Sequence, residues 1–264
     1  MRFDLFLVDK AYVESRQKAQ RLIKNGCVSV DGKVMTKPAE DIDADAEHLI
    51  EIKETEGERY VSRGGLKLEG ALKDFNISPN GLVCADIGAS TGGFTDCLLQ
   101  HGAKRVYAFD SGSGQLHSKL KSDDRVISKE GFNARYITPE DIGEGVDLVV
   151  MDVSFISQTM IIPAIVKLLR PNGTFITLIK PQFEAGRQAL GKNGIVKHKE
   201  DRLSAVNRVL DCAYENGLSF NGLACSSIKG GDGNEEFLAV FVLENKENAT
   251  KSNPTDIKNI VFGK

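Results

Sequence analysis

The sequence predicts an α/β protein built on a largely parallel sheet, with a small α+β module in front of it. Three observations support this fold class. Residues 1–58 carry their own helix and hairpin patterns, and residues 64–245 alternate between strand and helix patterns. Such alternation is typical of a parallel sheet with helices on both faces. The length of 264 residues and the 41% hydrophobic content suffice for one sizeable core plus a small module.

Seven segments of the second part are predicted to be strands. They are Leu82–Ile87, Arg105–Asp110, Arg125–Ser128, Val146–Val153, Thr174–Lys180, Ser219–Ser226 and Glu236–Leu243. The predicted helices are Gly64–Phe75, Thr91–His101, Gly114–Lys121, Ser157–Leu169 and Lys199–Asn216. The loop 229–235 is too short for a parallel crossover, so we expect the last strand to be antiparallel. Residues 59–63 are expected to form a linker, and the polar residues 246–264 a C-terminal tail.

The composition excludes several classes of protein. A net charge of −3 gives no general signal for nucleic-acid binding. The five cysteines are scattered and never spaced as C-x-x-C, and the four histidines are scattered too, so we expect a reducing compartment and no metal site. No stretch approaches the roughly 20 apolar residues of a membrane span, and acidic residues interrupt the apolar N-terminus. We therefore expect a cytoplasmic protein that does not bind membranes.

The first module carries a basic stripe. A helix pattern covers Arg16–Lys24, and the Asp31-Gly32 turn predicts a hairpin after it. Residues 1–40 carry a net charge of +3, whereas residues 41–58 carry −7. A basic stripe is either a solvated helix face or a surface that follows phosphates, and the charge alone leaves both interpretations open.

The first module contains the string Ser15-Arg16-x-x-Ala19-x-x-Leu22-Ile23-x-x-Gly26-x-Val28-x-Val30-Asp31-Gly32. This string resembles a known RNA-binding domain, the S4 module, and the resemblance covers most of residues 1–50. It implies that a basic helix and the adjoining loop contact structured RNA. The candidate RNA-binding residues are Arg16, Lys18, Arg21, Lys24 and Lys33, with Arg63 beyond the module.

A glycine-rich loop follows the first strand of the second part. Glycines at such a turn let the backbone approach a ligand, and the following helix N-terminus presents free N–H groups. The spacing G-x-x-x-G-G differs from the G-x-G-x-x-G of pyrophosphate binders, and Asp86 would repel phosphate. S-adenosylmethionine fits better because it carries an ammonium and a sulfonium and no phosphate. The candidate cofactor residues of this loop are Asp86, Gly88, Ser90, Gly92, Gly93 and Phe94.

Two further residues extend the candidate cofactor site. Asp110 ends the second strand, 22 positions beyond Gly88, close to the roughly 20-residue offset at which a carboxylate accepts hydrogen bonds from ribose hydroxyls. Asn133 follows the third strand, where a contact with adenine is expected. Any single aspartate is better explained as a helix cap or surface residue, but the common register of these features favours S-adenosylmethionine. This predicted cofactor site, together with the antiparallel last strand, indicates a Rossmann-like class I methyltransferase fold.

Two charged residues end the next strands. Asp152 ends the fourth strand and Lys180 ends the fifth, at the sheet edge where open α/β sheets bind ligands. A lysine that closes an apolar strand either snorkels to solvent or acts as a partly desolvated base towards a hydroxyl. The residues alone leave both interpretations open.

Several motifs are spread along the chain: Ser62-Arg63-Gly64-Gly65-x-Lys67-Leu68, Asp86–Phe94, Asp152–Ser157, Lys180–Glu184 and Gly233-Asn-x-Glu236-Phe237. Together they resemble the TlyA family, whose members join an S4 module to an FtsJ-like methyltransferase domain, and the resemblance spans nearly the whole chain. The resemblance implies methylation of a cytidine 2′-hydroxyl in ribosomal RNA, and the short N-terminus favours large-subunit RNA. It also implies a catalytic tetrad of Lys67, Asp152, Lys180 and Glu236.

Two features depart from the family pattern. Ser111-Gly-Ser-Gly114 replaces a longer aromatic-bearing stretch, which weakens the predicted adenosine contacts. Glu235 precedes Glu236, and Glu236 is preferred because Phe237 follows it, as in the family motif. Family members are often named hemolysins, so a membrane-active hemolysin is one alternative, although no amphipathic or spanning segment supports it. An RNA-binding protein without catalysis is another, and the filled tetrad argues against it.

Overall fold

The computed structural model describes residues 1–53, 59–230, 233–244 and 249–263. The chain divides into two compact units, Met1–Arg59 and Tyr60–Lys264. Each unit has its own sheet and its own hydrophobic core.

The first unit is a small α+β module. Its elements are α1 (Phe3–Asp9), α2 (Arg16–Lys24), β1 (Val28–Val30), β2 (Lys33–Met35) and β3 (Ile50–Ile52). The predicted helix and hairpin are confirmed as α2 and β1–β2, and both strands β2 and β3 pair antiparallel with β1. Asp31 and Gly32 have φ values of +51° and +79°, as a two-residue hairpin turn requires. The sequence did not predict α1 and β3, which are too short to show a clear period.

The core of the first unit contains one carboxylate. Asp4 is fully buried and accepts hydrogen bonds from Arg2, from Arg16 Nε at 3.0 Å and from Gln20 Nε2 at 2.6 Å. The Arg2 guanidinium is the main group that holds the pKa of Asp4 well below its usual range. Asp4 therefore links α1 to α2 and restrains the side chain of Arg16, which stays half exposed.

The second unit is a seven-stranded sheet covered by helices. Its strands are β4 (Val83–Ile87), β5 (Arg105–Phe109), β6 (Val126–Lys129), β7 (Val146–Met151), β8 (Leu169–Ile179), β9 (Leu218–Cys225) and β10 (Phe237–Leu243). Its helices are α3 (Gly64–Asp74), α4 (Gly93–Gln100), α5 (Ser118–Lys121), α6 (Ile162–Ile165), α7 (Pro181–Glu184), α8 (Lys199–Glu215) and α9 (Pro254–Phe262). All seven predicted strands are confirmed, with ends that differ by a few residues.

The strand order is β6-β5-β4-β7-β8-β10-β9. Strands β4 to β8 pair in parallel, and β10 is antiparallel to both of its neighbours. The predicted mostly parallel sheet with an antiparallel last strand is therefore confirmed. The chain adds β5 and β6 on one side of β4 and β7 on the other. The order thus reverses between β4 and β7, and such a switch point opens a ligand crevice at the carboxyl ends of the strands.

Alternate residues of the strands enter two cores. On β4, Ala85 and Ile87 face one core and Cys84 faces the other. The first core is completed by α6, α8 and α9, and the second by α3, α4 and α5. Burial on both faces explains why the central strands are continuous apolar runs.

Two predicted helices are shorter in the structure. Of Gly114–Lys121 only α5 is helical, because Glu130 Oε1 accepts the backbone N–H groups of Gln115 and Leu116 and holds them in a loop. The segment predicted as one helix, Ser157–Leu169, is a short 3-10 turn followed by α6, and Leu169 already belongs to β8. Pro163 has no N–H to bond back to the turn, which interrupts a continuous helix.

The C-terminal segment contains a helix that the sequence did not predict. Asn253 Oδ1 accepts the N–H of Thr255 at the start of α9. Ile257 and Val261 lie four residues apart on one face and are buried in the core that α8 completes.

Candidate functional site

The glycine-rich loop between β4 and α4 lies against the end of β7. Gly88 has φ +86°, and a Cβ at this position would lie 2.4 Å from the carbonyl oxygen of Asp152. Gly92 has φ +98° and is the N-cap of α4. A side chain is excluded at Gly88, so the loop backbone itself approaches the crevice.

Two adjoining cavities open beside this loop and share Gly88, Ser90, Asp152 and Ser154. The larger has a volume of about 500 Å³ and the smaller about 310 Å³. The predicted cofactor residues that line one or both are Gly88, Ser90, Gly93, Phe94, Asp110 and Asn133. Asp86 and Gly92 are buried and line neither cavity.

Asp86 lies behind the loop and is fully buried. Thr95 Oγ1 donates a hydrogen bond to its Oδ2 at 2.6 Å, while Oδ1 has no hydrogen-bond partner among the described residues. Burial is the main cause that raises the pKa of Asp86 to about 7. The carboxylates of Asp152 and Asp110 raise it as well, and the hydrogen bond from Thr95 opposes the shift. Three carboxylates thus influence one another at this edge of the sheet, which favours a cationic ligand.

The larger cavity is bordered by two residues that also hold loops in place. Asp110 Oδ2 accepts the N–H of Ser90, and its Oδ1 accepts the N–H of Gly112, both at 2.7 Å. Asn133 Oδ1 accepts the N–H of Arg135 at 3.2 Å and so caps a short 3-10 turn. Both residues therefore have a structural function in addition to facing the cavity.

Two lysine–carboxylate pairs lie at the smaller cavity, which Lys67, Lys180 and Asp152 line while Glu236 is buried behind Lys67. Lys180 Nζ lies 2.6 Å from Asp152 Oδ1 and donates a hydrogen bond to Ser154 Oγ at 2.9 Å. No described residue donates a hydrogen bond of good geometry to Asp152 Oδ1. The contact between Lys180 and Asp152 is therefore an ion pair without a hydrogen bond. Lys67 Nζ donates to Glu236 Oε2 at 2.5 Å. Both lysine side chains are only 12% exposed, which rules out snorkelling into open solvent.

The sheet topology explains how residues so far apart in sequence meet. Asp152 follows β7 and Lys180 follows β8, and these parallel strands end at the same edge. Because β10 is antiparallel, it begins at that edge, where Phe237 pairs with Ile179. Glu236, directly before β10, is thereby carried to the site. Lys67 comes from α3, which packs beside α4.

The structure separates the two candidate acids before β10. Glu236 is 3% exposed and pairs with Lys67, whereas Glu235 pairs with Arg202 at 3.1 Å and is 38% exposed. Glu236 is therefore the acid that pairs with a lysine lining the smaller cavity.

Three residues at this site were not predicted from the sequence. Thr95 holds Asp86, and Ser154 accepts from Lys180. Phe155 lines the larger cavity, is 91% exposed and has φ +64°, a strained conformation for an aromatic residue. Its ring lies 5.1 Å from that of Phe183. Ser154 and Phe155 lie within the motif Asp152–Ser157, so that motif could have identified both as candidate site residues.

The segment expected to be a linker is packed in the second unit from Tyr60 onwards. Tyr60 is buried, and the N–H of Val61 donates to Asp96 Oδ2 at 2.9 Å. A Cβ on Gly93 would lie 2.2 Å from Ser62 Oγ, so this glycine allows the segment to approach α4. Ser62 and Arg63 line the smaller cavity.

The remaining candidate RNA-binding residues lie in the first unit. Arg16, Lys18, Arg21 and Lys24 lie on α2, where Arg16 pairs with the buried Asp4, and Lys33 begins β2. Lys33 and the α2 residues except Lys18 are exposed. This arrangement is typical of a surface that contacts phosphates.

Two kinds of feature are absent from the described parts of the chain. Among those residues, no cluster of three or more histidine, cysteine, aspartate or glutamate side chains could hold a metal ion. No helix within the described ranges is both long and apolar enough to cross a membrane.

Comparison with known families assigns both parts of the chain. The profile of the FtsJ-like methyltransferases matches residues 60–242, and the S4 domain profile matches residues 1–48. The sequence is 44% identical over 237 residues to the 16S/23S rRNA (cytidine-2'-O)-methyltransferase TlyA of Mycobacterium tuberculosis, covering 89% of this chain and 87% of that one. It is 45% identical over 248 residues to Hemolysin A of Brachyspira hyodysenteriae, covering 92% and 100%.

A solved structure is also similar along the whole chain. It is a Streptococcus thermophilus protein provisionally named a hemolysin, with 43% identity and a TM-score of 0.77. The match covers 100% of this chain and 94% of that protein.

Proposed function

This chain belongs to the FtsJ-like methyltransferase family, in the TlyA group that also carries an S4 domain, and on that premise we propose that it methylates the 2′-hydroxyl of a cytidine in ribosomal RNA. The observation that carries the proposal is the presence of two enclosed lysine–carboxylate pairs beside the glycine loop. Such pairs suit attack by a hydroxyl oxygen, whose developing charge a lysine can stabilise. An enzyme that acts on ribosomal RNA would work in the cytoplasm.

The residues present fit S-adenosylmethionine as the methyl donor. Oδ1 of Asp86 has no hydrogen-bond partner among the described residues, and together with the nearby carboxylates it favours a cation. Asp110 would accept hydrogen bonds from the ribose hydroxyls, and Asn133 would border the adenine. Gly88 would allow close approach of the backbone. When bound, this cofactor supplies a methyl group made electrophilic by its sulfonium.

The lysine–carboxylate pairs would prepare the target hydroxyl. Lys180, held by Asp152 and Ser154, would donate to the ribose oxygen, and Lys67, held by Glu236, would steer the same hydroxyl or the flanking phosphate. The hydroxyl would lose its proton late in the transfer. Lys180 would accept it while passing one of its own protons to Asp152, which lies 2.6 Å away. Much of the rate would come from alignment of the reacting atoms.

RNA recognition would involve both units. The basic side of α2 would contact phosphates, together with Lys33 and, at the catalytic cavity, Arg63. A target nucleotide in folded RNA must be extruded to reach such a cavity. The exposed ring of Phe155, at the mouth of the larger cavity, offers a surface on which the extruded base could stack.

The decisive experiment is transfer of tritium from S-adenosylmethionine to ribosomal subunits from cells that lack this gene. A 2′-O-methyl group blocks alkaline cleavage of the adjacent phosphodiester, so the labelled nucleotide can be mapped at once on both subunits. We expect the wild type to label cytidine ribose and Lys180→Ala to abolish the label while the fold is kept. Lys104→Ala, on the exposed residue before β5, is the matched control and should retain activity.

The absence of label on both unmodified subunits would contradict the proposal. Liposome leakage caused by the pure protein would support a hemolysin instead. Calorimetry that shows no binding of S-adenosylmethionine would support an RNA-binding protein without catalysis.

A further inference from the structure

Glu184 is a buried carboxylate outside the two lysine–carboxylate pairs. It ends α7, the short helix that directly follows Lys180, and it is 2% exposed. Its Oε2 accepts a hydrogen bond from Ser157 Oγ at 2.6 Å, and its Oε1 accepts the N–H of Gln158 at 2.8 Å. Both donors belong to the loop that follows Asp152. Glu184 therefore joins the segment after β8 to the segment after β7.

A second buried residue strengthens this connection. Gln158 is 1% exposed, donates from Nε2 to the carbonyl oxygen of Leu178 at 2.6 Å and accepts from Thr177 Oγ1 at 2.9 Å. Leu178 and Thr177 lie on β8, just before Lys180. Arg208 of α8 donates to the backbone carbonyl of Glu184 at 2.7 Å and anchors the other end of the connection.

These hydrogen bonds lie behind the Lys180–Asp152 ion pair rather than in the cavities. Glu184 lines neither cavity, and unlike Asp86 it has no carboxylate oxygen left without a hydrogen-bond partner. The loops it joins are those that carry Asp152 and Lys180, whose charged atoms meet at 2.6 Å. Both of its carboxylate oxygens are satisfied, which buried carboxylates require. A shift of either loop would separate the ion pair.

We propose that Glu184 is a positioning residue, which holds the loop after Asp152 against the segment after Lys180 so that the two side chains stay paired. The inference rests on the proposed function, since it assigns the pair a part in methyl transfer. The charge of Glu184 is incidental to this task, and the two hydrogen bonds are essential.

Two substitutions separate the hydrogen bonds from the charge. In Glu184→Gln the amide oxygen can accept from the Gln158 N–H and the amide nitrogen can donate to Ser157 Oγ, because that hydroxyl can turn towards Thr159 Oγ1, 2.7 Å away. We expect its kcat within about threefold of the wild type. Glu184→Ala removes both links, and a misplacement on the order of 1 Å costs about a hundredfold in kcat. The KM for the ribosomal subunit and the Kd for S-adenosylmethionine should stay within about threefold, since no contact with either ligand is lost.

Two further variants complete the experiment: one controls for lost stability, and the other is a milder test of the same links. Ile257→Ala removes buried methyl groups on α9 and should leave kcat unchanged at a temperature where it is folded. Ser157→Ala removes one of the two links, with an expected loss of about tenfold in kcat. It replaces Glu184→Ala as the test if the latter does not fold.

Crystal structures of the wild type and the variants provide a readout that needs no turnover. The Lys180 Nζ–Asp152 Oδ1 distance should be kept in Glu184→Gln and lengthen in Glu184→Ala, or in Ser157→Ala where that variant replaces it. An unchanged distance in the variant that lacks a link overturns the inference, even if the wild type proves inactive on ribosomal RNA and the proposed function fails. A wild-type kcat in that variant, or a loss in Glu184→Gln as large as in Glu184→Ala, overturns it as well.

Discussion

The buried carboxylate of Asp86 should make the stability of this protein fall as the pH rises. Its pKa is about 7 in the fold and 3.8 when exposed, and the main cause is burial. Between these values the unfolded chain has released a proton that the folded chain retains, so the free energy of unfolding decreases with pH in that window. Asp86→Asn is neutral, has the same shape and keeps an acceptor for Thr95, so it should lose this dependence.

The magnitude follows from the two pKa values. At about 1.4 kcal/mol per pKa unit, the raised pKa costs roughly 4 kcal/mol at pH 8 and about 1.5 kcal/mol at pH 5. The stability of Asp86→Asn relative to the wild type should therefore increase by about 2.5 kcal/mol between pH 5 and pH 8. The contributions of other titrating groups to the free energy of unfolding are the same in both proteins and cancel when the two are compared. Urea unfolding at both pH values measures it, and Asp74→Asn, an exposed carboxylate at the end of α3, should show no such increase.

The same ionisation should control the affinity for a cationic ligand. About one tenth of the Asp86 carboxyl groups are ionised at pH 6 and about nine tenths at pH 8. The Kd for S-adenosylmethionine should therefore fall about tenfold over this range in the wild type and stay level in Asp86→Asn. A stability difference that stays constant within about 0.5 kcal/mol from pH 5 to pH 8 would refute the reasoning.

Three further predictions concern the catalytic cavity, the exposed ring and the basic helix. Glu236→Gln removes the charged partner that holds Lys67 at 2.5 Å. The kcat for tritium transfer should fall at least tenfold, while the Kd for S-adenosylmethionine stays unchanged. Equal kcat values in the variant and the wild type would contradict this. Phe155→Asn should unfold at the same temperature or slightly higher, because asparagine tolerates φ +64° better, yet it should raise the KM for the ribosomal subunit. An unchanged KM would exclude stacking. Lys24→Ala should reduce the slope of log K against log salt for RNA binding by about 1, whereas Lys104→Ala should not change it.

Much of the second unit could be predicted from short-range patterns. Central strands such as β4 and β7 are buried on both faces, so their apolar runs are continuous and easily recognised. The prediction failed where a neighbouring side chain overrides a local pattern. Glu130 holds Gln115 and Leu116 out of a helix, and the burial of Ile257 against the core stabilises α9 within an otherwise polar segment.

Some residues of the candidate site could likewise be predicted from local patterns, whereas others depend on tertiary contacts. The glycine loop, Asp152 and Lys180 each follow a recognisable strand, so the sequence alone located them at the carboxyl edge of the sheet. The link between Glu236 and that edge depends on β10 running antiparallel beside β8, which the spacing implied but the pairing of Phe237 with Ile179 established. The choice between Glu235 and Glu236 depended on which side chain reaches Lys67.

The fold class, the two-part organisation and the residue types available for chemistry could be predicted from the sequence, because hydrophobic period, turn residues and motif spacing are local properties. The folded protein was needed to show which charges pair, how deeply Asp86 is buried and that Glu184 joins the loops of the site. Burial and hydrogen bonding are properties of neighbours brought together by folding, and no spacing along the chain encodes them.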